Sequence, residues 1–122
     1  MGITENKGIY FVNQNFDNKV NKFGTAKDGD RDIEFINFFK NTDTLSDIID
    51  DVSKAINGNY NLIDDPDLTN EVGIASITPV GISYYDYEGN NIIATSPLED
   101  FREKLLAWKV FLLTPPLHGS DI

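Results

Sequence analysis

Val72-Gly73-Ile74-Ala75-Ser76-Ile77-Thr78-Pro79-Val80-Gly81-Ile82-Ser83-Tyr84-Tyr85-Asp86-Tyr87-Glu88-Gly89-Asn90-Asn91-Ile92-Ile93-Ala94-Thr95 is the stretch that decides the fold. Two runs of β-branched and aromatic residues, 72–77 and 80–87, flank a Thr78-Pro79 break. Glu88-Gly89-Asn90-Asn91 then supplies a turn into Ile92-Ile93-Ala94-Thr95. Strand-forming runs separated by short turn-formers predict an antiparallel meander.

A helix follows directly. Ser96 reads as its cap, Pro97 as its first residue and Glu99 as the closing member of a capping box. Leu98, Phe101, Leu105, Trp108 and Leu112 form its apolar stripe, and Thr114-Pro115-Pro116 ends it. On the N-terminal side of the meander, Leu45, Ile48, Ile49, Val52 and Ile56 recur at one-face helical spacing up to Gly58. Thr44 and Asp47 have the form of a capping box there. Asp43, Asp47, Asp50 and Asp51 crowd the start of this helix, where the dipole favours negative charge. Asp47 and Asp51 are a like-charged pair four residues apart, whereas Asp50 and Lys54 are a favourable one.

The remaining segments are less regular. Gly8-Ile9-Tyr10-Phe11-Val12 reads as a strand, and residues 13–32 as an irregular excursion or a weak hairpin pinned by Phe16, Val20 and Phe23. Residues 33–39 read as a strand on their aromatic and β-branched content, although Ile33, Ile36 and Phe39 also fit a helical face. Residues 57–66 form an acidic connecting loop, and 117–122 a tail expected to fray. The fold class expected is α+β: an antiparallel sheet of four to five strands packed against two amphipathic helices, in one domain spanning 1–122.

A chain of 122 residues with 40% apolar content, including eight Phe and five Tyr, is large enough to fold without staples. There is no cysteine, which excludes disulfides, thiolate metal sites and thiol nucleophiles. Met1 to Lys7 carries no long apolar run after a basic patch, so neither a signal peptide nor a membrane span is expected, and a cytoplasmic setting fits best. Twenty acidic residues face ten basic ones, a net charge of −10. Such a field repels nucleic acid and anionic membranes and accelerates encounter with a cationic partner.

No catalytic constellation is apparent. The single histidine, His118, follows a double proline in the tail, with no scaffold to orient it as a base. Gly81-Ile82-Ser83 continues into Tyr84-Tyr85 within a strand rather than forming a nucleophile elbow, and no glycine-rich phosphate loop is present. Asp28-Gly29-Asp30-Arg31-Asp32 opens like a calcium loop, but Ile33 stands where that loop needs Gly and Phe39 where it needs Glu. The clusters at Asp64, Asp65 and Asp67 and at Glu99, Asp100 and Glu103 are explained by loop solvation and helix-terminal charge. No metal and no cofactor is therefore expected. Tyr84, Tyr85 and Tyr87 alternate across one strand, so at least one ring should be exposed if the sheet covers one face only.

The segment Ser96-Pro97-Leu98-Glu99-Asp100-Phe101-Arg102-Glu103-Lys104-Leu105-Leu106-Ala107-Trp108-Lys109-Val110-Phe111-Leu112 resembles the C-terminal helix of small bacterial immunity proteins from polymorphic toxin and contact-dependent growth inhibition systems. It is about a seventh of the chain. Small size, acidity, lack of cysteine and α+β order agree with that group. The resemblance implies a cytoplasmic, non-enzymatic protein that binds a cognate basic toxin domain, often a nuclease, and occludes its active surface. The residues that chemistry nominates for such a contact are Asp47, Asp50, Asp51, Asp64, Asp65 and Asp67 with Tyr84, Asp86 and Glu88. The competing readings are a small ligand-binding domain or enzyme with its pocket between sheet and helices, and an acidic DNA mimic. Oligomeric state is open, since an edge strand in the meander can pair with a second copy or with a partner.

Overall fold

The computed structural model describes residues 8–122; Met1 to Lys7, whose composition argued against a signal peptide, lies outside the described residues. The architecture is α+β, with five strands divided between two antiparallel sheets.

Strands β1 (Ile9–Phe16) and β2 (Lys19–Ala26) form a hairpin in register from Ile9 opposite Ala26 to Phe16 opposite Lys19. Its two-residue turn is Asp17-Asn18, both at positive φ (54° and 62°). Asp and Asn tolerate that conformation best among non-glycine residues, and it matches the twist of a tight hairpin. The region read as an excursion or weak hairpin is thus a regular one.

Residues 33–39 do not form the expected strand. Helix α1 (Arg31–Ile36) occupies most of them, opened by Asp30, whose Oδ1 accepts from the Ile33 amide at 3.0 Å. That cap and the burial of Ile33, Phe35 and Ile36 on the core side outweigh the β-propensity of the same residues.

Helix α2 (Thr42–Ile56) begins earlier than the Thr44 capping box implied. Asn41 is its cap, accepting from the amides of Asp43 (2.8 Å) and Thr44 (3.1 Å). An Asn side chain at the cap satisfies two orphan donors, so Thr44 is free to be helical. Lys54 pairs with Asp51 at 3.4 Å, rather than with the expected Asp50.

A 3₁₀ turn, Tyr60–Leu62, leads into segment 66–70. This runs along the edge of β3 (Ile74–Thr78), with Leu68 N donating to Ala75 O and Ile77 N to Pro66 O. Strands β4 (Gly81–Tyr85) and β5 (Ile92–Ser96) complete the meander in the order β3-β4-β5. Only glycine fits at position 81, where a Cβ would lie 2.7 Å from the Ser96 carbonyl oxygen.

Helix α3 (Leu98–Leu113) buries all five residues of its predicted stripe. Its capping differs from expectation: Pro97 is the cap residue and no side chain caps the helix, so Ser96 and Glu99 form no capping box. Ser96 Oγ instead donates to Asp32 Oδ1 at 2.6 Å.

That bond belongs to a buried polar cluster. Asp32, 3% exposed, also accepts from the Tyr84 hydroxyl at 2.5 Å on Oδ1 and from Lys104 Nζ at 2.9 Å on Oδ2. Lys104 Nζ further reaches Asp30 Oδ2 at 3.1 Å. Burial alone would lower the Lys104 pKa, but the hydrogen bonds and charges of Asp32 and Asp30 outweigh it and leave the ammonium favoured. Burial, then the Asp32 charge, push the Tyr84 phenol far above its ordinary range, so it remains a donor.

The tail expected to fray is docked. Val20 N donates to Ser120 O, Gly119 N to Val20 O and Ile122 N to Asn18 O, and Lys19 pairs with Asp121, so 118–122 extends the β2 edge. His118, expected to lack a scaffold, accepts from the Lys22 amide through Nδ1 at 3.0 Å. The physical reason is that β2 presents unpaired backbone groups on this side, and the chain after Pro116 satisfies them.

Two outcomes follow. Asp32→Ala strips Lys104 of its more buried partner and is expected to cost about 3 kcal/mol in urea unfolding. Second, burial, then Lys40 and Lys22, hold the His118 imidazole below its ordinary 6.5. The unfolded chain therefore binds this proton more readily, so the His118 contribution is fully present above pH 6.5 and is lost as pH falls through the lowered folded value. Protection factors of the Lys22 and Val20 amides, with the intrinsic pH dependence of exchange divided out, should fall on acidification, and His118→Asn, which keeps an acceptor but does not titrate, should flatten that dependence.

Candidate functional site

Between α1 and the ends of β4 and β5 lies an open cleft of about 730 Å³. Phe35 and Tyr84 make its floor, packed edge to face at 5.5 Å. Phe38, Val72, Tyr85, Tyr87 and Ile93 line its walls. Glu34, Glu71 and Asp86 bring carboxylates to it, against one cation, Arg31, whose guanidinium lies 5.8 Å from the Tyr84 ring centroid. Among the described residues, no ion pair engages Glu34, Glu71, Asp86 or Arg31.

Local hydrogen bonds position the walls. Asn70 Oδ1 accepts from the Val72 amide at 2.9 Å, forming a turn that carries Glu71 and Val72, while its Nδ2 donates to Phe35 O at 3.1 Å and ties that turn to α1. On the opposite side Asp86 accepts from the Asn90 amide and from Asn91 Nδ2, both at 2.9 Å. The Asn91 bond, then that from Asn90, lower the Asp86 pKa and hold it ionised. The ordered turn presents Tyr87 fully exposed (102%), and Phe38, just past α1, is 44% exposed. Exposed aromatics beside carboxylates present π-faces and anions together, a pairing suited to cations.

Of the nine residues nominated from sequence, two, Tyr84 and Asp86, line the cleft. Asp47 and Asp50 are exposed on α2 and Asp51 is engaged with Lys54. Asp65 accepts from the Asp67 amide and Asp67 from the Thr69 amide, so both carboxylates shape their own loop, with Asp64 exposed beside them. The Thr69 bonds lower the Asp67 pKa. Tyr84 lines the cleft floor but is 4% exposed with its hydroxyl on Asp32, so it is not the surface anchor expected of it. The exposed ring of the three is Tyr87. Asp86 lines the cleft, and Glu88 accepts from Asn90 Nδ2 next to it.

Sequence reasoning missed Glu34, Phe38, Glu71 and Val72. Reading 31–36 as a helix would have set Arg31 and Glu34 three residues apart on one side, with Phe38 just past its end. Asn70-Glu71-Val72-Gly73 is a turn pattern that places Glu71 and Val72 at an exposed tip. Nothing local reveals that this tip faces α1.

Among the described residues, no group of three His, Cys, Asp or Glu side chains could hold a metal ion, and no helix is long and apolar enough to cross a membrane. No protein-family model, no curated protein and no solved structure matches the chain.

Because Tyr87 is fully exposed, Tyr87→Ala should leave the unfolding free energy within about 0.5 kcal/mol of the parent. Asn70→Ala removes two hydrogen bonds, one of them the tether to Phe35, and should cost about 1–2 kcal/mol in the same urea titration.

Proposed function

We propose that the chain is an immunity-type inhibitor: a cytoplasmic binding protein that neutralises a cognate basic toxin domain by covering its active or substrate-binding surface. One observation carries the reading. In a chain of charge −10, an open cleft joins exposed aromatic rings to three carboxylates that, among the described residues, have no ion-pair partner. Aromatic anchors with a charged surround are how compact interfaces concentrate binding energy, and charge of one sign steers the opposite partner toward them. In this reading the protein performs no chemistry on its target and requires no cofactor; occlusion is the mechanism. Carboxylates on α2 and in the 64–67 loop contribute long-range steering, and the cleft supplies contact.

A second reading draws on the cleft volume, about 730 Å³, which falls within the range of small-molecule sites. Its open, carboxylate-lined form supports a protein partner better, because small-molecule sites bury most of their ligand.

The test is co-expression with a basic toxin domain from the gene neighbourhood. Growth should be restored, and the purified pair should associate at least tenfold faster at 50 mM than at 500 mM salt, as steering requires. Absence of both protection and a complex at low salt defeats the proposal.

A further inference from the structure

We infer that the cleft seats an arginine side chain from an exposed segment of the partner protein, its guanidinium against the Tyr87 ring and facing Glu34, Glu71 and Asp86. The inference rests on the reading that the chain binds a basic protein, and adds which surface does so and what chemistry it takes.

Charge complementarity is the first argument. Three carboxylates and one guanidinium line the cleft, and none of the four has an ion-pair partner among the described residues. The local charge therefore favours one more cation and rejects phosphate groups. The aromatic lining is the second. Tyr87 and Phe38 are exposed large rings on a surface that is otherwise rich in carboxylates. Stacking across such rings suits a guanidinium better than an ammonium, since it is planar, weakly hydrated and able to fork onto a carboxylate at the same time. The chain itself supplies the third, because Arg31 already lies over the Tyr84 ring at the cleft's inner end, at 5.8 Å. An arginine from outside would repeat that arrangement against Tyr87. The acidic groups on α2 and in the 64–67 loop do not line this cleft.

The experiment titrates the ¹⁵N-labelled chain with a blocked pentapeptide carrying two arginines between glycines, and with the same peptide bearing citrulline in their place. The arginine peptide should shift the amides of Arg31, Glu34, Val72, Asp86 and Tyr87, and the citrulline peptide should not. Tyr87→Ala, and the pair Glu34→Gln with Glu71→Gln, should each weaken binding at least fivefold while the rest of the amide spectrum is preserved. Shifts centred on α2 or spread over the whole acidic surface overturn the assignment, as does equal binding of the citrulline peptide or no shift at millimolar concentration. The two proposals fail separately. Peptide binding at the cleft without growth protection sinks the immunity role and leaves the arginine seat. Full protection by variants that no longer bind the peptide sinks the seat and leaves the role.

Discussion

Asp32 holds together parts of the chain that local sequence does not connect. Its buried carboxylate receives Tyr84 from β4, Ser96 from the end of β5 and Lys104 from α3, while Asp32 itself lies in the first turn of α1. A carboxylate buried inside a protein is tolerated only when hydrogen-bonded and paired, and here three donors meet it. The arrangement fixes α1 against the three-stranded sheet and against α3. Everything that forms the cleft depends on that placement, because Arg31, Glu34, Phe35 and Phe38 all belong to α1 or follow it directly.

A second consequence concerns where the positive charge goes. Lys104 is buried in the Asp32 cluster, and Lys22 is fully buried with its Nζ on Asn13 Oδ1 and 3.9 Å from the Phe111 ring centroid. Lys40 lies against Trp108, and burial brings its pKa down to about 8. These three basic residues are thus withdrawn wholly or partly from the surface, while most carboxylates remain on it. The face presented to a partner is more acidic than the formal charge of −10 conveys, which strengthens the case for a cationic target. The docked tail works in the same direction, since Nδ1 of His118 accepts from the Lys22 amide and its environment disfavours a further positive charge.

Reading the sequence located the elements whose signals are local and strong. The α3 stripe of Leu98, Phe101, Leu105, Trp108 and Leu112 is buried as its spacing required, and so are Leu45, Ile48 and Val52 of α2. The meander was legible because the Thr78-Pro79 break and the Glu88 to Asn91 turn punctuate it. Errors fell where two local signals competed. Residues 33–39 carried β-formers, but Asp30 capped a helix through them. Ser96 had the form of a helix cap, but a buried carboxylate nearby is a stronger attraction for its hydroxyl than the α3 amides.

Sequence by itself determined the α+β class, the faces of the two long helices, the strand pairing of the meander and the acidic balance, because each depends on residues within a few positions of one another. Tertiary structure alone decided that Glu34, Glu71 and Asp86 share one cleft, that Tyr87 rather than Tyr84 is its exposed ring, and that the tail joins the β2 edge. These are long-range juxtapositions. They depend on contacts such as the buried pairing of Asp32 with Lys104, 72 residues apart, and periodicity carries no information over that distance.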